Sequence, residues 1–109
     1  MTDRLDMPQG TLDLLILKSL SLGELHGLGI SRRIEQMTRG AFKPGAGSLF
    51  PALHRLQHAG LLTSEFGKSE TRRDAKYYTL TAKGRRQLQV ERNEWQKVVA
   101  AMSLALESR

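Results

Sequence analysis

One segment near the start of the chain constrains the fold more than any other. From Leu12 to Leu22 it reads as a helix, with Leu12, Leu15 and Ile16 marking one face and Leu14, Leu17 and Leu20 largely marking another. A helix that is apolar nearly all round must be covered on two sides. The chain has only 109 residues, and a single domain of that size buries about two thirds of its unfolded surface. The expected second cover is therefore a partner subunit. Cysteine is absent, which excludes disulfides, thiolate metal sites and cysteine nucleophiles and fits a reducing compartment. The longest apolar run, Leu14 to Leu17, is far too short to span a membrane, and no signal-peptide layout precedes it.

The rest of the chain divides cleanly. Residues 1–10 read as a flexible arm, and Thr11 is the expected cap of the first helix, with Asp13 in its first turn. Residues 23–27, Gly-Glu-Leu-His-Gly, break that helix. A second helix is expected over 27–38, with Ile30, Ile34 and Met37 inward and Ser31, Arg32, Arg33 and Glu35 toward water. Glycines and a proline mark 39–47 as a loop. Ser48 then caps a third helix running to about Ala59, with Leu49, Leu53 and Leu56 inward and Pro51 in the first turn. Gly60 ends it. Residues 62–66 and 75–80 read as two short strands around a polar loop. Thr81 caps a last helix reaching about Ser108, in which Leu88, Trp95 and Met102 repeat every seven residues, as do Val99 and Leu106. Such a seam packs against another helix.

The net charge of +6 is not spread evenly. Residues 1–38 carry a balance of −1 and residues 87–109 a balance of 0. Residues 39–86 hold ten basic side chains against Glu65, Glu70 and Asp74, a balance of +7. A concentrated basic stretch is either a solvated surface or the footprint of a polyanion, most often nucleic acid. The order of elements favours the second. Three helices, a two-stranded basic hairpin and a long helix make a mainly α fold with a β wing: a winged helix-turn-helix over 1–80 and a dimerisation helix over 81–109. The third helix suits the major groove and the hairpin suits flanking phosphates or the minor groove. A winged-helix module that binds protein without specific DNA binding is the alternative. It predicts an apolar or acidic third-helix face and an uncharged wing, the reverse of this sequence. Non-sequence-specific RNA or DNA binding would be favoured by stacking aromatics on an open surface, and the six aromatics are few.

Specific runs carry a resemblance. Residues 9–88 resemble the PadR family of transcriptional regulators, through Gln9-Gly10-Thr11-Leu12-Asp13-Leu14-Leu15-Ile16-Leu17, His26-Gly27-Leu28-Gly29-Ile30 and Tyr77-Tyr78-Thr79-Leu80-Thr81 with Gly84. The most specific run is Gly47-Ser48-Leu49-Phe50-Pro51-Ala52-Leu53-His54-Arg55-Leu56. The resemblance implies a bacterial, cytoplasmic homodimeric repressor of the short-tailed branch, with one C-terminal dimerisation helix and no cofactor. Phe50 and Leu28 depart from it, standing where the family usually has tyrosines.

Candidate DNA-binding residues are Lys43, Ser48, Pro51, Ala52, His54 and Arg55 around the third helix, and Lys68, Arg72, Arg73 and Lys76 in the wing. Ser48 offers a hydroxyl and backbone N–H groups to a phosphate. Pro51 and Ala52 offer an apolar surface to a thymine methyl, and His54 and Arg55 reach base edges or phosphates. The dimer interface is expected to use Leu12, Leu15, Ile16, Leu88, Trp95, Val99, Met102 and Leu106. Trp95 is either core of the helix pair or, by resemblance, a stacking surface for a small planar aromatic effector between subunits. His54 and His58 stand four apart, but no third ligand is evident and no metal is expected. No catalytic arrangement stands out, so an enzyme is not expected. His26, in its glycine-rich bend, is expected to bond to backbone.

Overall fold

The computed structural model describes residues 9–108. The elements are α1 (Gln9–Ser21), β1 (Leu25–His26), α2 (Gly27–Met37), α3 (Ala46–His58), β2 (Leu62–Lys68), β3 (Asp74–Leu80) and α4 (Ala82–Glu107). The expected 1–10 arm lies almost wholly outside the described residues. α1 begins at Gln9, so Thr11 and Asp13 sit within the helix and Thr11 is not its cap.

α1 is the centre of the core. Leu12, Ile16, Leu17 and Leu20 are buried, and so is Ser19, whose hydroxyl donates to the Ile16 carbonyl at 2.8 Å. Around them pack Ile30 and Ile34 of α2, Leu49, Ala52, Leu53 and Leu56 of α3, and Leu62, Tyr78 and Leu80 of the sheet. This corrects the expectation for Leu12 and Ile16. They are covered by the chain's own helices and have no surface left for a partner. What stays uncovered on α1 is the half-buried pair Leu14 and Leu15 with exposed Lys18.

The sheet has three antiparallel strands in the order β1-β3-β2, one more than the expected hairpin. Leu25 and His26 pair with Tyr78 and Tyr77 of β3. A two-residue strand is too short to show an alternating pattern, which is why the sequence presents it as a bend. β2 and β3 run in register from Leu62 opposite Leu80 to Lys68 opposite Asp74. In the loop that joins them, Arg72 N–H donates to the Ser69 carbonyl at 2.8 Å, and Ser69 N–H to the Arg73 carbonyl at 3.0 Å. Arg72 takes φ +63°, the left-handed position that such turns usually give to glycine.

His26 caps α2: its Nδ1 accepts from Gly29 N–H at 3.0 Å. Ser31, expected in water, is buried and donates to the Pro44 carbonyl at 2.7 Å, tying the following loop to the helix. α3 begins at Ala46 after its cap Gly45, three residues earlier than expected. Ser48 thus lies in the first turn without capping it. Pro51 lies inside the helix, where its missing N–H leaves the Gly47 carbonyl without a helical partner. Ala52, expected on the outer face, is 2% exposed and part of the core. It follows the Leu49 and Leu53 stripe because three residues turn a helix only slightly short of one full turn.

Gly60 (φ +80°) closes α3, with Leu61 N–H donating to the Leu56 carbonyl and Gly60 N–H to the Gln57 carbonyl. Thr81 then caps α4: its hydroxyl oxygen accepts from Gly84 N–H at 2.9 Å and donates to the Gly60 carbonyl at 2.8 Å. Gly84 is buried against the chain that follows α3, and a Cβ there would stand 2.2 Å from the Leu61 carbonyl oxygen. The Leu80-Thr81-x-x-Gly84 run is thus a cap plus a close backbone approach. Gly84→Ala should destabilise the domain by about 2–3 kcal/mol, as overpacking against backbone does. Thermal unfolding measures this, and an unchanged melting temperature would show that the backbone relaxes freely there.

Candidate nucleic-acid interface

The exposed side of α3 presents Ser48, Phe50, Pro51, His54 and His58. Phe50 is half exposed, and the far edge of its ring lies on Gly27 at the start of α2, where a Cβ would sit 2.8 Å from two ring carbons. Arg55 is held in two directions at once. Its guanidinium donates to both oxygens of Asp13 on α1, at 2.7 and 2.9 Å. That hydrogen bonding raises its pKa further above the ordinary arginine value. Arg55 therefore ties the third helix to the first, and Asp13, expected to serve the helix dipole, is its partner.

The wing comes back over the start of α2. Glu70 at its tip meets His26 Nε2 at 3.3 Å and Arg32 at 3.7 Å. Because Nδ1 of His26 accepts from the helix, Nε2 carries the proton of the neutral ring and donates to Glu70. The ring also meets Tyr77 edge-on at 5.4 Å. Glu70's own backbone N–H and the His26 ring hold its carboxyl below the ordinary glutamate range. His26 thus bonds backbone, as expected, and also latches the wing, which sequence reasoning missed. The only available signals were a histidine just before a helix and a single acid at the wing tip.

These elements enclose a depression of about 510 Å³ whose lining includes Leu28, Arg32, Phe50, Glu70, Arg73 and Lys76. Of the expected cations, Arg72 and Arg73 are exposed and meet no acid among the described residues. Lys76 lies 5.9 Å above the Tyr78 ring. Lys68 pairs with Asp74 and Lys43 reaches Glu35 at 3.9 Å; both are exposed pairs, which contribute little and open readily. Among the described residues no group of three histidines or acids is placed to hold a metal, and no helix is long and apolar enough to cross a membrane.

A second cleft, of about 460 Å³, lies between α1 and α4, lined by Leu14, Leu15, Phe42, Glu91, Trp95 and Val98 among others. Leu88 packs against the core. Beyond it Trp95, Val99, Met102 and Leu106 are 46–79% exposed.

The chain matches the model of the transcriptional regulator PadR-like family over residues 16–90. The protein belongs to the PadR family. A transcriptional regulator from Clostridium thermocellum is 27% identical with a TM-score of 0.79, covering 87% of this chain and 92% of that one. A PadR-like transcriptional regulator from Bacillus cereus is 27% identical with a TM-score of 0.77, covering 93% and 96%. The transcriptional regulator YqjI of Escherichia coli is 38% identical over 64 residues, which are 56% of this chain and 31% of that protein. The chain is thus a transcriptional regulator of the PadR family, mainly helical with a small antiparallel sheet, and not an enzyme.

In this PadR protein the α1–α4 cleft holds the carboxyl of Glu91. Among the described residues, the buried Glu91 Oε2 has no hydrogen-bond partner. Burial pushes the Glu91 carboxyl above the ordinary glutamate range; a bond from Gln87 opposes this and the nearby Asp13 charge adds to it. The folded state thus holds a proton that the unfolded chain releases, so this group favours folding at low pH and loses that contribution as the pH rises through its folded pKa. Glu91→Gln should raise the melting temperature at pH 7. The gain should shrink as the pH is lowered toward the ordinary carboxylate range. A gain independent of pH would show that ionisation is not its cause.

Proposed function

We propose that the protein is a sequence-specific DNA-binding repressor that acts as a homodimer on a pseudo-palindromic operator. The observation that carries this reading is the single depression joining Phe50 of α3 and Arg32 of α2 to Arg73 and Lys76 of the wing. In helix-turn-helix proteins the start of the third helix meets base edges in the major groove. Here Ser48, Pro51 and His54 are the side chains for that task, with Arg72, Arg73, Lys76, Lys43 and Lys68 for phosphates. Arg55 acts by fixing α3 on α1, and Ala52 drops out because it is core. Residues 1–80 form the DNA-binding unit and residues 81–109 the dimerisation helix.

The apolar stripe of α4 supports the dimer. Val99, Met102 and Leu106 are exposed within the chain, and a second copy would bury them together with Leu15, Leu88 and part of Trp95. Two recognition helices would then stand about 34 Å apart, one turn of DNA. Trp95 and the cleft beside it are the place for a small planar aromatic effector. Because Trp95 is the one tryptophan, its fluorescence reports on that site alone. A planar aromatic compound should quench it and weaken DNA binding; an unchanged spectrum across a panel of such compounds removes the effector from the proposal.

The direct experiment is footprinting upstream of the protein's own gene and its neighbours at two salt concentrations. A protected palindrome with a steep salt response is expected. Equal affinity for scrambled DNA would remove the specific operator. Arg72→Ala with Arg73→Ala should weaken binding to every sequence and reduce the slope of log affinity against log salt by about 0.9 for each phosphate no longer neutralised. An unchanged slope would take both arginines out of the interface.

A further inference from the structure

We propose that Phe50 reads a thymine methyl group and so determines specificity in the DNA interface. The inference rests on the DNA-binding reading above and deepens it. The exposed side of α3 has few polar readers left. Arg55 is committed to Asp13 at 2.7 Å, Ala52 is core, and before the last turn Ser48 and His54 remain as exposed polar side chains. Phe50, by contrast, is half exposed.

The ring cannot simply fold inward, because its packing on Gly27 sets its position from behind. Leu28, 54% exposed, extends the same apolar surface. Isolated exposed apolar side chains are ordinary. This pair is not isolated, since it floors a depression rimmed by Arg73 and Lys76 and by Arg32, which Glu70 partly neutralises at 3.7 Å. An apolar floor beside cations suits a nucleotide, with the phosphate at the cations and an apolar group on the ring. Among the base edges of the major groove the one apolar group is the C5-methyl of thymine. Phe50 stands on the helix whose first residues face those edges. Leu28 stands at the start of α2, which crosses the backbone, and there meets deoxyribose.

The test uses a duplex that the full chain selects from a random pool. It is then resynthesised with each thymine replaced in turn by uracil, which removes the methyl alone. At one thymine per half-site the replacement should weaken binding about fourfold, the contribution of one buried methyl group. Phe50→Ala, with folding checked by thermal melting, should bind the thymine and uracil duplexes alike at that position. Phe50→Tyr, which keeps the ring, should retain the difference. Uracil tolerated at every position by the unmodified protein overturns the proposal while leaving DNA binding intact. A difference that persists in Phe50→Ala also overturns it and assigns the methyl group to Pro51. A pool that yields no preferred duplex overturns both this inference and the operator on which it rests.

Discussion

The enclosure of α1 is the constraint on which the rest of the structure depends. Leu12, Ile16, Leu17 and Leu20 are covered by α2, α3 and the sheet together, so the three-helix unit exists only because all of these elements close on one helix. Burying four such side chains contributes on the order of 6–12 kcal/mol against the conformational entropy of the chain. The same closure decides what is left outside. It leaves the Leu14 and Leu15 ridge, which faces α4 and forms one wall of the cleft containing Trp95 and Glu91. The core and the α1–α4 cleft are therefore two sides of a single helix.

Polar ties orient α3, α2 and the wing on that core. Arg55 and Asp13 fix α3 to α1, with the arginine less than half exposed, and Arg33 reaches the Ser19 carbonyl to fix α2. His26 joins the start of α2 to the wing through its two nitrogens. A planar guanidinium bound at both oxygens defines an angle as well as a distance. Two of these ties use side chains whose charge alone would assign them to DNA or solvent, so a regulator can spend basic residues on geometry.

Most of the fold was legible because its signals are local. The heptad spacing along α4, the Thr81 cap, Gly60 at a helix end and the alternation of Tyr78 and Leu80 each depend on neighbours in sequence, and each stands where its pattern puts it. What sequence hid depends on tertiary packing. Ala52 and Ser31 are small, so neither side of a helix excludes them until a neighbour arrives. Leu12 and Ile16 are apolar whichever surface covers them, and periodicity cannot distinguish the chain's own core from a partner. β1 is too short to have a period. Within the site the candidate cations were legible by charge, whereas the Glu70 latch and the Arg55 tie join residues more than 40 positions apart.

The length of α4 has a mechanical consequence. At 26 residues it is a rod about 39 Å long, flanked by α1 from Leu88 to Val98 and free of it beyond. The α1–α4 cleft lies in that stretch, close to the fulcrum. A tilt of about 5° at Glu91 carries the far end of the rod through roughly 2 Å, given the helical rise. In the proposed dimer joined along these rods, such a displacement in both subunits would leave the core undisturbed yet change the spacing between the two proposed DNA-binding units by a distance comparable to one base-pair step.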